Sequence, residues 1–208
     1  MTRAEVMKLL DKLELSSHMD DYEVRDRLED LGYRRSQISV HDGATKICLV
    51  FEKTDFIVKW SYNCDDENSE SLKECRIYAC AVEAGLACFF PKTEVLGKWG
   101  DVTVIIQDKV DYSVSGCSWD KKQHYQHIAN TVTNRIFSKM EHGFRINCGY
   151  DRDLDTTWGK LVISLYGKRV TKKLCEFIQE YKINDLHSSN IGYKNDRPII
   201  LDFSGYYR

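Results

Sequence analysis

A chain of 208 residues that is 42% hydrophobic and 30% charged can bury one substantial core or two small lobes, and is too short for two large domains. Its formal net charge of −2, with both signs interspersed, excludes the basic footprint of counterion-releasing nucleic-acid binding. No apolar run approaches the roughly 18–20 residues needed to span a bilayer, and MTRAEVMKLLDKLEL carries too many charges for a signal-peptide core; a cytoplasmic protein with no membrane or nucleic-acid partner is predicted.

From Thr2 to Leu31, the residues Val6, Leu9, Leu10 and Leu13, then Tyr22, Val24, Leu28 and Leu31, recur at helical spacing. LSSHMDD breaks the pattern and Gly32 stops it, so two short helices open the chain. KICLVF and DFIVKW are β-branched and aromatic runs separated by EKT, which predicts antiparallel strands Lys46–Phe51 and Asp55–Trp60. Past the polar NCDDENSE loop, SLKECRIYACAVEAGL places Leu72, Cys75, Ile77 or Tyr78, Ala81 and Val82 on one helical face, with Gly85 near its C-terminus. KTEVLG and DVTVIIQDKV read as two further strands around a Gly97–Gly100 turn.

Beyond Val110 the strand signal fades. SWDKKQHYQHIANTVTNRIFSKMEHG and DLDTTWGKLVISLYGKRVTKKLCEFIQEYK carry helical periodicity, with Ser118 or Asp120 and Asp155 as N-caps. Only PIILDF returns to β character. A β-rich lobe, a short connector and a helical lobe follow, and a cleft between lobes is the natural ligand site. The eight cysteines (48, 64, 75, 80, 88, 117, 148 and 175) sit singly, with no C-x-x-C pair, which predicts reduced, buried thiols rather than disulfides or zinc ligands. His124 and His127 lack a third ligand and read as an exposed helical face.

Chemistry gathers in the last stretch, INDLHSSNIGYKNDRPIILDFSGYYR. Where a helix ends near Lys182, the following loop presents Asp185 and, five residues on, Asn190; Asp202 follows an apolar IIL run. A carboxylate accepts or orients a hydroxyl proton, and carboxamide and carboxylate oxygens suit Mg²⁺.

These residues resemble the protein-kinase-like superfamily, and more closely its aminoglycoside-phosphotransferase-like branch with a D-L-H-x-x-N loop than the eukaryotic protein kinases. Asp185-Leu186-His187-Ser188-Ser189-Asn190 matches that catalytic loop, and Asp202-Phe203-Ser204-Gly205 is similar to the metal-binding D-F-G element. The resemblance implies Asp185 as catalytic base, Asn190 and Asp202 as ligands of Mg²⁺, and His187 as a support of the loop. It extends upstream in order. DFIVKW is similar to the third strand of a kinase N-lobe, which makes Lys59 the contact to the α- and β-phosphates of ATP. Glu74, or less favourably Glu70, is then its ion-pair partner on the following helix. VIIQDKV looks like the strand entering the interlobe hinge, with Gln107 as gatekeeper and the backbone of Asp108 and Val110 facing adenine. In SVHDGATKICLVF a single glycine stands where the family has a glycine-rich loop, and the N–H groups of Gly43, Ala44 and Thr45 are the expected phosphate cap.

By this resemblance the fold is α+β and bilobal, with an antiparallel-sheet N-lobe carrying one helix of the αC type, and a truncated, mainly helical C-lobe. Residues 1–35 are an N-terminal helical extension, 36–107 the N-lobe, 108–113 the hinge and 114–208 the C-lobe. Three residues follow Gly205, so the activation segment and the peptide-binding helices are expected to be absent; the acceptor is then a small molecule or a protein docked elsewhere. The expected function is ATP- and Mg²⁺-dependent phosphoryl transfer. Its main alternative is a nucleotide-binding pseudokinase that presents a surface to a protein partner, and adenylate transfer is a third.

Overall fold

Alternation along two strands decides how the first half of the chain folds. In β2 (Lys46–Phe51) and β3 (Phe56–Ser61), Ile47, Leu49, Phe51, Val58 and Trp60 fall on one face and are fully buried. Lys46, Cys48, Ile57, Lys59 and Ser61 fall on the other, because the antiparallel register sets Cys48 opposite Lys59 and Lys46 opposite Ser61. One side of the sheet therefore needs an apolar cover, and the other carries two lysines.

The computed structural model describes residues 1–43, 45–62, 64, 67–110, 152–183, 190–194 and 197–204. It is α+β. In chain order the elements are α1 (Arg3–Leu13), α2 (Asp21–Asp30), β1 (Ile38–Asp42), β2, β3, α3 (Glu70–Glu83), a 3-10 turn at Ala87–Phe89, β4 (Thr93–Trp99), β5 (Val102–Asp108), α4 (Arg152–Glu180), β6 (Ile191–Lys194) and β7 (Arg197–Ile200). β1 to β5 form an antiparallel sheet in the order β1-β2-β3-β5-β4, and β6 pairs antiparallel with β7 in a second sheet. Two compact units result: Met1–Ala79 with Lys92–Lys109, and Cys80–Pro91 with Val110–Arg208. Among the described residues no helix is long and apolar enough to cross a membrane.

In the first unit the apolar cover comes from α1 and α2. Val6, Leu9, Leu10, Leu13, Val24 and Leu28 join Ile47, Leu49, Phe51, Val58, Trp60, Val104 and Ile106 in one core. α1 opens with a capping box, Thr2 and Glu5 each taking the other's backbone N–H, and Asp20 caps α2 by accepting from the Glu23 N–H at 2.9 Å. Polar ties fix the helices to the β4–β5 hairpin. The Ser17 N–H and hydroxyl donate to Asp101 at 2.8 and 2.5 Å and hold its carboxyl below the usual range. Trp99 Nε1 donates to Asp11 at 2.7 Å.

The β4–β5 turn is locked by the same helices. Gly100 has φ 58°, and a Cβ there would fall on the Leu15 carbonyl oxygen. Gly100→Ala therefore meets both a left-handed backbone and a rigid neighbour, and should cost about 2–3 kcal/mol, read as a lowered urea midpoint with unchanged slope. A change under about 0.5 kcal/mol would mean that the turn relaxes away from Leu15.

The second unit buries an aromatic group. Phe90 packs on Phe177 and Phe203 at ring-centroid distances of 5.7 and 5.0 Å, and Phe89 packs on Tyr166 at 4.5 Å. α4 is helical from Arg152, ahead of the expected cap Asp155, and is interrupted at Gly167 (φ 77°, ψ 164°), a conformation open essentially to glycine alone. Ile183 N–H donates to the Ile178 carbonyl at 2.9 Å beyond a left-handed Lys182, so the chain leaves the helix where the sequence places its end. The helix expected across 118–143, with Ser118, Asp120, His124 and His127, lies outside the described residues.

Candidate functional site

α3 turns an unexpected face inward. Ser71, Glu74, Ile77 and Ala81 are its buried residues, at spacings of three, three and four, whereas Val82, placed on the buried face by its apolarity, is 52% exposed. The reason lies in what the helix meets. Its N-terminal turn is pinned by hydroxyls: Ser61 Oγ accepts the Ser71 N–H at 2.9 Å, and Ser69 Oγ accepts the Leu72 N–H at 3.3 Å. Ser61 shares a sheet face with Lys46 and Lys59, so the helix answers that face with a carboxylate.

Glu74 is completely buried, and both its oxygens are occupied. Lys46 Nζ donates to Oε1 at 2.9 Å; Gln107 Nε2 donates to Oε2 at 3.1 Å, and Lys59 Nζ stands 3.6 Å from that same oxygen. A carboxylate removed from water is tolerable only with this density of charge and donors. Gln107 also donates to Thr93 Oγ1 at 3.0 Å, while its own carboxamide oxygen is buried without a partner among the described residues. Its amide is thus oriented by the glutamate. Glu70, the competing acid, lies 3.5 Å from Lys46 and accepts from the Thr45 hydroxyl at 2.5 Å. Lys46 was missed in the sequence reading, although strand alternation places it on the face of Lys59 two residues from Cys48.

Of the expected phosphate cap, the Gly43 N–H donates to the Lys46 carbonyl at 2.8 Å, closing the β1–β2 turn, and is therefore already engaged. Thr45 turns its hydroxyl to Glu70, and Ala44 lies outside the described residues. The stretch ISVHD, which leads into Gly43, is the edge strand β1, paired residue for residue with β2. At the end of β5, the Asp108 N–H donates to the Lys92 carbonyl at 2.9 Å; Val110 lies just beyond, outside regular structure.

In the second unit, Asn190 and Asp202 flank one hairpin. β6 starts directly after Asn190, Ile191 pairs with Ile200, and the Leu201 N–H donates to the Asn190 carbonyl at 2.7 Å. Residues twelve apart in sequence are thus set at the same end of a two-stranded ladder. Asp202 adopts φ 51°, tolerated by aspartate better than by most residues, and the next side chain, Phe203, is fully buried against Phe90. Asp185 and His187 lie outside the described residues.

Burial first, and the Glu74 carboxylate second, push the Cys75 thiol up to about 12, so it stays protonated at neutral pH and is no thiolate nucleophile. The six described cysteines form no disulfide with one another. Comparison of the chain with protein families, with curated proteins and with solved structures finds no match.

Proposed function

We propose that this chain is an ATP- and Mg²⁺-dependent phosphotransferase of the protein-kinase-like kind. The observation that carries the reading is the buried Glu74 carboxylate facing Lys59 from α3 across a five-stranded antiparallel sheet. An ammonium side chain only 11% exposed is costly to keep in a core unless it serves an anion, and a polyphosphate is the anion that DLHSSN and DFSG suggest.

Asn190 and Asp202 fit the metal by donor type, since a carboxamide and a carboxylate oxygen are hard ligands, and the hairpin supports it by holding their backbones side by side. When bound, Mg²⁺ supplies neutralisation of phosphate charge. Lys59 then positions the α- and β-phosphates, and Glu74 keeps Lys59 oriented. Asp185 takes the proton of an acceptor hydroxyl as its oxygen bonds to the γ-phosphorus and the bond from phosphorus to the leaving ADP oxygen breaks.

Incubation with γ-labelled ATP and Mg²⁺, alone and with cell extract, should transfer label. Asp185→Ala and Asp202→Ala should each lower transfer by about 10²-fold or more. Transfer that survives both changes sinks the reading. A second reading, a nucleotide-binding module without transfer, is favoured by the Gly43 N–H, which is engaged within its own turn. It predicts thermal stabilisation by Mg·ATP with no label transferred, and absence of stabilisation would dismiss both.

A further inference from the structure

Two lysines converge on Glu74, and they are not equivalent. Lys46 makes a hydrogen-bonded pair at 2.9 Å on one oxygen, whereas Lys59 stands at 3.6 Å from the other, where Gln107 already donates at 3.1 Å. We infer that Lys46 is a positioning residue that holds and neutralises Glu74, together with Gln107, so that Lys59 is the cation free to turn to a phosphate. This rests on the phosphotransferase reading above and adds to it a residue that no resemblance supplied.

A buried carboxylate holding one lysine alone would compete with phosphate for that lysine, because releasing it leaves an uncompensated anion in the core. With Lys46 in place, Glu74 keeps a full counter-charge and a neutral donor while Lys59 moves. The orphaned Gln107 oxygen points the same way: an amide that leaves its acceptor unpartnered in order to present Nε2 to Glu74 is there to fix that carboxylate. Glu70, 3.5 Å from Lys46 and 16% exposed, lies farther off and nearer solvent than the fully buried Glu74, so the 2.9 Å pair keeps Lys46 chiefly with Glu74.

Calorimetric titration with Mg·ATP and with adenosine, on wild type, Lys59→Met, Lys46→Met and Lys46→Arg, tests this. Lys59→Met should weaken Mg·ATP about tenfold or more and leave adenosine within about twofold. Lys46→Met should show the same phosphate-selective loss although Lys59 is intact, and Lys46→Arg should return affinity to within about threefold of wild type. If Lys46→Met keeps wild-type affinity, or loses ATP and adenosine alike, the inference falls while the phosphotransferase reading stands. If the wild type binds no Mg·ATP, that reading falls and takes the inference with it. Should Lys46→Met fail to fold, Lys46→Gln keeps a donor to Glu74 and removes only the charge. It should show the same phosphate-selective loss, and wild-type affinity for Mg·ATP in that variant overturns the inference.

Discussion

Glu74→Ala is expected to destabilise the protein by about 3–5 kcal/mol, which in a chain of this size lowers Tm on the order of 10 °C. The carboxylate is fully buried, and the two ammonium side chains it faces are only 8% and 11% exposed. Removing it leaves both without their shared counter-ion. Glu70 relieves Lys46 in part, from 3.5 Å and at 16% exposure, whereas among the described residues Glu74 is the carboxylate that Lys59 faces. The same physics makes the opposite prediction for removing the whole cluster. Lys46→Met/Lys59→Met/Glu74→Leu removes the three buried charges and leaves Glu70, at 16% exposure, nearer solvent; it should lie within about 1–2 kcal/mol of wild type, because well-packed apolar residues commonly replace a buried ion cluster without loss. Urea unfolding of both variants decides between two reasons for keeping such a cluster. If Glu74→Ala is costly and the triple variant is not, the charges are retained for a ligand rather than for stability. A cost below about 1 kcal/mol for Glu74→Ala would mean that water reaches this carboxylate.

What the sequence revealed, and what it hid, follows from how each feature is encoded. β2 and β3 were legible because a β-branched run on either side of a short polar gap has few other solutions; β2 has the expected bounds and β3 is displaced by one residue. The buried face of α3 was not legible. Its apolar residues mark one side, yet the helix packs on a sheet face made polar by Lys46, Lys59 and Ser61, so Ser71 and Glu74 turn inward and Val82 outward. Amphipathicity predicts burial against oil, not against lysines. Lys46 was hidden for the same reason, since a lysine that begins a strand reads as solvated until the strand's register is known. β1 and β6, rich in Ser, His, Asp and Gly or very short, carry too little alternation to stand out and exist through pairing with stronger neighbours. Gly167 gave no warning, because one glycine within a helical pattern is usually tolerated. At the candidate metal ligands the sequence supplied the residue types, and the β6–β7 hairpin supplies the proximity of their backbones.

Deleting residues 1–31 should leave the first unit unable to fold, although the sequence sets these helices apart as an N-terminal extension. α1 and α2 are the cover of one sheet face rather than an appendage: Val6, Leu9, Leu10, Leu13, Val24 and Leu28 are all at most 3% exposed, in one core with Ile47, Leu49, Phe51, Val58, Trp60, Val104 and Ile106. Exposing those seven sheet residues, at about 1.5–3 kcal/mol each, forfeits on the order of 10–20 kcal/mol. The net stability of a whole domain is about 5–15 kcal/mol, so the loss exceeds what remains. A graded version avoids the all-or-none outcome. Leu10→Ala, at a fully buried position of α1, should cost about 2–5 kcal/mol, whereas Tyr22→Ala, at a position 71% exposed, should stay within about 0.5 kcal/mol. Urea unfolding of both variants, and amide dispersion in the NMR spectrum of the 32–208 fragment, provide the measurements. A fragment with native-like dispersion and a cooperative transition would show that the sheet finds another cover.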